Sequence, residues 1–109
     1  MQALLNIENI HNTATAAARK TTEDFLAKHG DRDACGFAWV TVYEKGSTKL
    51  GRALKSVGFK PAYGGGLQLW NPSGSWTQCI TAKEEGARAY AEVLRKFGIE
   101  KAYAGSRVD

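Results

Sequence analysis

Only two cysteines and one methionine occur among 109 residues, and no apolar run reaches the length of about 18 residues that a membrane-spanning helix needs. The first scarcity argues against a disulfide framework. Cys35 and Cys79 stand 44 positions apart, with no Cys-x-x-Cys pair and no histidine at zinc-finger spacing, so no structural zinc site is indicated either. Two buried or semi-buried thiols are expected. The second absence excludes an integral helical membrane protein and any membrane partner. Met1 to His11 lacks both the basic start and the continuous apolar core of a signal peptide, because Leu4, Leu5, Ile7 and Ile10 are interrupted. An intracellular protein is expected. Dinucleotide and P-loop fingerprints are also missing, as is any catalytic constellation, so no cofactor, metal or catalytic residue is predicted.

What the chain does have is an abrupt change of chemistry in its middle. Residues 45–60 carry five cations, Lys45, Lys49, Arg52, Lys55 and Lys60, and no acid, whereas residues 61–82 carry no charge at all. That neutral stretch holds Tyr63, Gly64, Gly65, Gly66, Trp70, Asn71, Pro72, Ser73, Gly74 and Trp76. The flanking segments nearly cancel, at −2 for residues 1–44 and +1 for residues 83–109, so the middle of the chain supplies the net charge of +4. Cations beside aromatic rings suit an anionic or planar partner, since the first attract and the second offer contact area.

Apolar periodicity locates the elements. Ile7, Ile10, Ala14, Ala17, Ala18, Thr21 and Phe25 recur at spacings of three and four, predicting a leading helix that stops at Gly30. Its alanines offer little bulk per turn, so it is expected to lie across a surface or a partner and not to form the main core. Gly36 to Tyr43, GFAWVTVY, is the strongest strand, with Phe37, Trp39, Thr41 and Tyr43 on one face and Ala38, Val40 and Val42 on the other. With both faces apolar, it should be interior. Ser47 is the expected cap of a short helix whose stripe is Leu50, Leu54 and Val57, with Lys49, Arg52 and Lys55 pointing away and Gly58 ending it.

Phe59 to Tyr63 then extends towards the Gly64-Gly65-Gly66 turn. Beyond it, Leu67 to Trp70 and Ser75 to Thr81 flank an Asn71-Pro72-Ser73-Gly74 turn. Pairing Trp70 with Ser75 puts Leu67, Leu69, Trp76, Gln78 and Ile80 on one face and Gln68, Trp70, Ser75, Thr77 and Cys79 on the other. Thr81 and Glu84 suggest a capping box for a last helix striped by Ala87, Tyr90, Ala91, Leu94 and Phe97 and stopped by Gly98, followed by a short strand through Ala102 and Tyr103. The order predicts one α+β domain over residues 1–109: a leading helix in 1–30, then a ferredoxin-like βαββαβ core in 36–109, mainly antiparallel. Both core helices then cover one sheet face. The other is left for a partner, a second subunit or the leading helix.

Three stretches also carry a resemblance: GFAWV, the central KLGRALKSVGF leading to AYGGGLQLWNPSG, and the ending KEEGARAYAEVLRKFGIEKAYAGSRVD. From Cys35 to Asp109 the chain resembles a family of small uncharacterised proteins of tailed bacteriophages and prophages. That resemblance implies a viral origin and the cytoplasm of an infected bacterium. The family has no assigned activity, so no catalytic residue is carried over.

A non-catalytic binding module is the expected role. Phe37, Trp39 and Tyr43 are the candidate interface residues for self-association into a homo-oligomer or for a host protein, because aromatic side chains dominate interface energetics. The alternative is a nucleic acid or a small anionic, nucleotide-like ligand, held by Lys49, Arg52, Lys55, Lys60, Tyr63, Gly64, Gly65, Gly66 and Trp70. Phe37, Trp39 and Trp70 would be its stacking platform, although the basic helix is then expected on the opposite side of the sheet. A solvated basic helix face and a plain flexible turn are the ordinary readings of those segments. His29, Asp31, Asp33 and Cys35 are close enough in sequence to suggest a base, a metal site or a thiol nucleophile, but a solvated turn explains them better.

Overall fold

A computed structural model describes residues 6–30, 34–75, 77 and 79–108. It contains three helices and a four-stranded antiparallel sheet: α1 (Ile7–His29), β1 (Gly36–Val42), α2 (Lys49–Ser56), β2 (Lys60–Pro61), β3 (Leu67–Trp70), α3 (Ile80–Lys96) and β4 (Ala102–Val108). The strands lie in the order β2-β3-β1-β4. None of these helices is long and apolar enough to cross a membrane.

β1 is central in the sheet, but only one of its two apolar faces, that of Ala38, Val40 and Val42, is buried. Val40 stands between Leu69 of β3 and Ala104 of β4, and Val42 between Leu67 and Ala102. Ala38, Val40 and Val42 are fully buried with Leu54 of α2 and with Ala87, Tyr90, Ala91 and Leu94 of α3. Both core helices therefore cover one face of the sheet. The stripe of α2 is the expected one, with Leu54 buried and Leu50 and Val57 packed partly against the core. Its cap is Thr48 and not Ser47: the Thr48 hydroxyl accepts from the Gly51 amide at 3.0 Å. A Cβ at Gly51 would strike the chain at Lys45 and Gly46, which brings the preceding loop tightly onto this first turn.

α1 neither covers the open sheet face nor stands apart from the core. It packs along α3 on the helix side, burying Ile10, Ala14, Ala18 and Thr22, one position on from the expected Thr21. The small residues have a local reason: α3 presents Gly86 there, and any Cβ at Gly86 would meet Thr22 Oγ1 and the Ala18 carbonyl. Thr22 Oγ1 donates to the Ala82 carbonyl at 2.9 Å, and His11 Nδ1 lies 2.6 Å from the Tyr90 hydroxyl. The radius of gyration, 13.5 Å, is close to the roughly 13 Å expected of a compact chain this long, so α1 is no projecting arm.

Three expectations fail on the far side of β3. The hairpin is built on the glycine turn, joining β2 to β3 with Lys60 opposite Gln68 and Pro61 opposite Leu67. Trp70 pairs with Trp39 of β1 and not with Ser75. No strand is found among the described residues of 75–81: the 71–74 turn closes as expected, with the Gly74 amide on the Asn71 carbonyl, Ser75 and Thr77 are irregular, and Cys79 makes only an isolated bridge with Cys35 before α3 begins. Trp76 and Gln78 lie outside the described residues. α3 starts at Ile80 with Cys79 at its N-cap, so Thr81 and Glu84 sit inside the helix, and Glu84 accepts instead from Ser106 Oγ of β4. β4 is also longer than Ala102 and Tyr103, running seven residues because every one of them pairs with β1. That pairing overrides the weak strand preference of Gly105 and Ser106.

Candidate functional site

The face of the sheet turned away from the helices is uncovered, and register fixes what it carries. Residues directly opposite each other in an antiparallel pair point to the same side. One row across the sheet is Lys60, Gln68, Thr41 and Tyr103; the next is Trp70, Trp39 and Gly105; the last is Phe37 and Arg107. Tyr43 continues the alternation of β1 just past its end, and its ring lies 5.9 Å from that of Tyr103. Trp70 and Tyr103 are each 51 % exposed and Tyr43 is 53 % exposed, so nothing within the described chain covers this face.

The rings form a connected surface. Trp39 and Trp70 stand side by side on the two central strands, 5.0 Å between centroids, and Phe37 meets Trp70 edge to face at 6.0 Å. Gly105 sets the attitude of Trp39, since a Cβ there would lie 2.6 Å from the indole Nε1. The indole thus rests over bare backbone, which keeps the platform low where a side chain would lift it.

Cations edge this surface. The Arg107 guanidinium lies 5.8 Å from the centre of the Phe37 ring. Lys83, reaching over from the first turn of α3, brings its ammonium to 5.6 Å from the same ring while donating to the Gly36 carbonyl at 3.0 Å. Lys60 stands at the opposite edge, on β2. None of the described strand positions on this face is acidic. The surface is therefore aromatic in the middle and positive at two edges.

The structure brings together only some of the sequence candidates. Phe37, Trp39, Tyr43, Lys60 and Trp70 share the open face. Lys49, Arg52 and Lys55 do not: they are exposed on α2, in the layer across the sheet, and Arg52 is engaged locally through a 2.7 Å bond from Nη1 to the Ser47 carbonyl. Tyr63 is fully exposed at the hairpin tip. Nor do Gly64, Gly65 and Gly66 make an open nest of amides. The Gly65 amide closes the turn on the Ala62 carbonyl, and the Ala62 amide is held by the Gly66 carbonyl. Gly66, at φ 75°, is required by close approach, because a Cβ would fall 2.7 Å from the Val42 carbonyl. Sequence reasoning missed Tyr103 and Arg107. Only the register of β4 against β1 places them on the platform, and that register has no local signal.

Chemistry elsewhere is sparse. Asp31 and Asp33 lie outside the described residues, and among the described ones no group of three His, Cys, Asp or Glu is placed to hold a metal ion. Burial lowers the pKa of His11 and pushes that of Tyr90 well above its ordinary 10.0, consistent with a neutral imidazole accepting the phenolic proton between α1 and α3. That pair is across the core from the platform and ties two helices together. Comparison with known proteins brings no match, whether to family models, to curated proteins or to solved structures.

Proposed function

We propose that the protein is a non-catalytic binding module whose open sheet face stacks the bases of a single-stranded nucleic acid. The observation that carries this reading is the pair Trp39 and Trp70, adjacent on the two central strands and flanked by Arg107 and Lys60, with no acid among the described strand positions of that face. Base stacking on aromatic side chains, with cations on the backbone phosphates, is how four-stranded RNA-recognition sheets and other single-strand binders work. The strand order, read from the other edge as β4-β1-β3-β2, and the βαββαβ succession support a ferredoxin-like arrangement, which those modules share. The phage-type sequence pattern supports a setting in the cytoplasm of an infected bacterium.

An interface with a second copy or with a host protein would use the same rings, and composition alone favours it. Unbalanced cations at two edges of the face support a polyanion over a second copy, since a self-complementary patch would bring like charges together.

Tryptophan fluorescence during titration with a ten-nucleotide single strand, at low salt, tests the proposal. Quenching by the oligonucleotide is expected, and Trp70→Ala should weaken binding by about 1–3 kcal/mol, the usual worth of one stacked base. Arg52→Glu, across the sheet, should leave it nearly unchanged. Absence of quenching, together with a salt-resistant dimer in light scattering, would replace this reading with the self-association one.

A further inference from the structure

Cys35 and Cys79 are the one pair of chemically reactive side chains that the fold brings face to face without using them. Cys35 immediately precedes β1, and Cys79 is the N-cap of α3. They are opposite partners in an isolated antiparallel bridge. The bridge is of the narrow kind, because the hydrogen bond beside it runs from the Ile80 amide to the Ala34 carbonyl at 2.9 Å, outside the pair and not between the two cysteines. Opposite residues in such a pair have Cα atoms about 4.5 Å apart, with side chains on one side of the ladder. A disulfide accepts Cα separations of roughly 4.4–6.8 Å. The Cα separation typical of such a pair thus lies within the range that a disulfide accepts.

Their surroundings differ in a way that orders the chemistry. Both thiols are free; Cys35 is exposed, whereas Cys79 is completely buried. A soluble oxidant reaches the first and not the second.

We propose that Cys35 and Cys79 form a redox-reactive dithiol, a site of reversible intramolecular disulfide formation driven by low-molecular-weight disulfides such as oxidised glutathione. The Cys35 thiolate attacks one sulfur of the oxidant, forming a mixed disulfide and releasing one equivalent of reduced thiol. The Cys79 thiol then attacks Cys35 Sγ, its proton passing to the departing thiolate, which closes the internal bond and expels the second thiol. Two protein thiols are oxidised and one small disulfide is reduced. The bond would fasten the start of β1 to the start of α3, closing a loop that contains β1, α2, β2 and β3. It lies two residues from Phe37, at one end of the aromatic face, yet the inference does not depend on what that face binds.

The test uses the full chain in glutathione buffers of graded potential, read by intact mass and by peptide mapping. Expected in the wild type is the loss of two hydrogens, a monomeric product and a peptide linking Cys35 to Cys79. The melting midpoint should rise on the order of 10 °C, because the closed loop is long. Cys79→Ala should stop at a stable adduct of one glutathione on Cys35, and Cys35→Ser should not react while folded. A wild type that also stops at the Cys35 adduct, or that yields only disulfide-linked dimers, would overturn the proposal.

Discussion

Gly86 stands on α3 where α1 crosses it, and the absence of a side chain there sets how near the two helices come. A methyl at this position would press on Thr22 Oγ1, on the Ala18 carbonyl and on Ser73 Cβ at 3.2 Å. Thr22 cannot easily yield, since it is β-branched, fully buried and bonded to the Ala82 carbonyl. Alanine in an exposed helix would gain about 0.5–1 kcal/mol over glycine. Here the clash outweighs that gain, and Gly86→Val, with two methyls more to place, should destabilise the fold by about 1–3 kcal/mol. Chemical denaturation reads it: the midpoint should fall, and an unchanged midpoint would mean that α1 does not sit this close. Gly105 has the same kind of role on the opposite surface, but its neighbour is the Trp39 ring, so an added methyl there should alter the platform more than the core.

Between elements, one of the polar ties that hold α1 to α3 is the contact of His11 with Tyr90, beside that of Thr22 with the Ala82 carbonyl. Burial lowers the imidazole pKa from 6.5, so between that value and the lowered one the unfolded chain binds a proton that the folded chain refuses. Stability should therefore be full above pH 7 and should decline as pH falls through 6.5 towards the native value. The Tyr90 hydroxyl, whose pKa is raised, works at the other end: above pH 10 the unfolded phenol ionises first, and stability falls as pH rises. His11→Gln keeps an acceptor for the hydroxyl without titrating, and should flatten the acid limb of denaturation midpoints measured between pH 7.5 and 5. Tyr90→Phe should cost about 1 kcal/mol at neutral pH and remove this residue's part of the alkaline loss.

How far such elements were legible in the sequence depended on whether their signal was local. The alternation GFAWVTV assigned both faces of β1, and Leu50, Leu54 and Val57 assigned the inner stripe of α2, because burial imposes those periods directly. Ser75 to Thr81 looked like a strand by composition, but the hairpin partner of β3 is β2, through Lys60 and Pro61, and α3 already begins at Ile80. The length of β4 was hidden for the converse reason: Gly105, Ser106 and Arg107 are poor strand formers that a strong partner recruits. Most of the candidate site could be read in this way. Phe37, Trp39, Tyr43, Lys60 and Trp70 came from local pattern, whereas Tyr103, Arg107 and the meeting of Cys35 with Cys79 depend on tertiary pairing alone.

Taken whole, the molecule separates its charge into two layers. Lys60 and Arg107 edge the aromatic face, and Lys49, Arg52 and Lys55 project from α2 on the other side of the sheet. A bound strand that stays on the platform meets only the first pair, because Lys83 is buried and already donates to the Gly36 carbonyl. Single strands lose affinity with a slope of about −0.7 per phosphate neutralised, so two contacts give roughly a sevenfold loss between 50 and 200 mM salt. All five cations acting together would give roughly a 130-fold loss over the same range. The affinity ratio at the two salt concentrations should lie near the smaller figure. A ratio near the larger one would mean that the strand wraps round to α2, and the site would have to be redrawn to include it.

The central position of β1 bears on how the chain comes into being. Its two neighbours are β3 and, at the far end of the sequence, β4, while α1 finds its only extensive packing on α3. Elements made early thus have their partners in elements made much later. During synthesis the first 79 residues contain the inner face of β1 and the buried side of α1 but not the helix that shields both, and contacts of such wide sequence separation form slowly. A nascent chain of this protein has its apolar residues exposed until α3 has emerged from the ribosome, and the sheet is complete only when residue 108 has followed it.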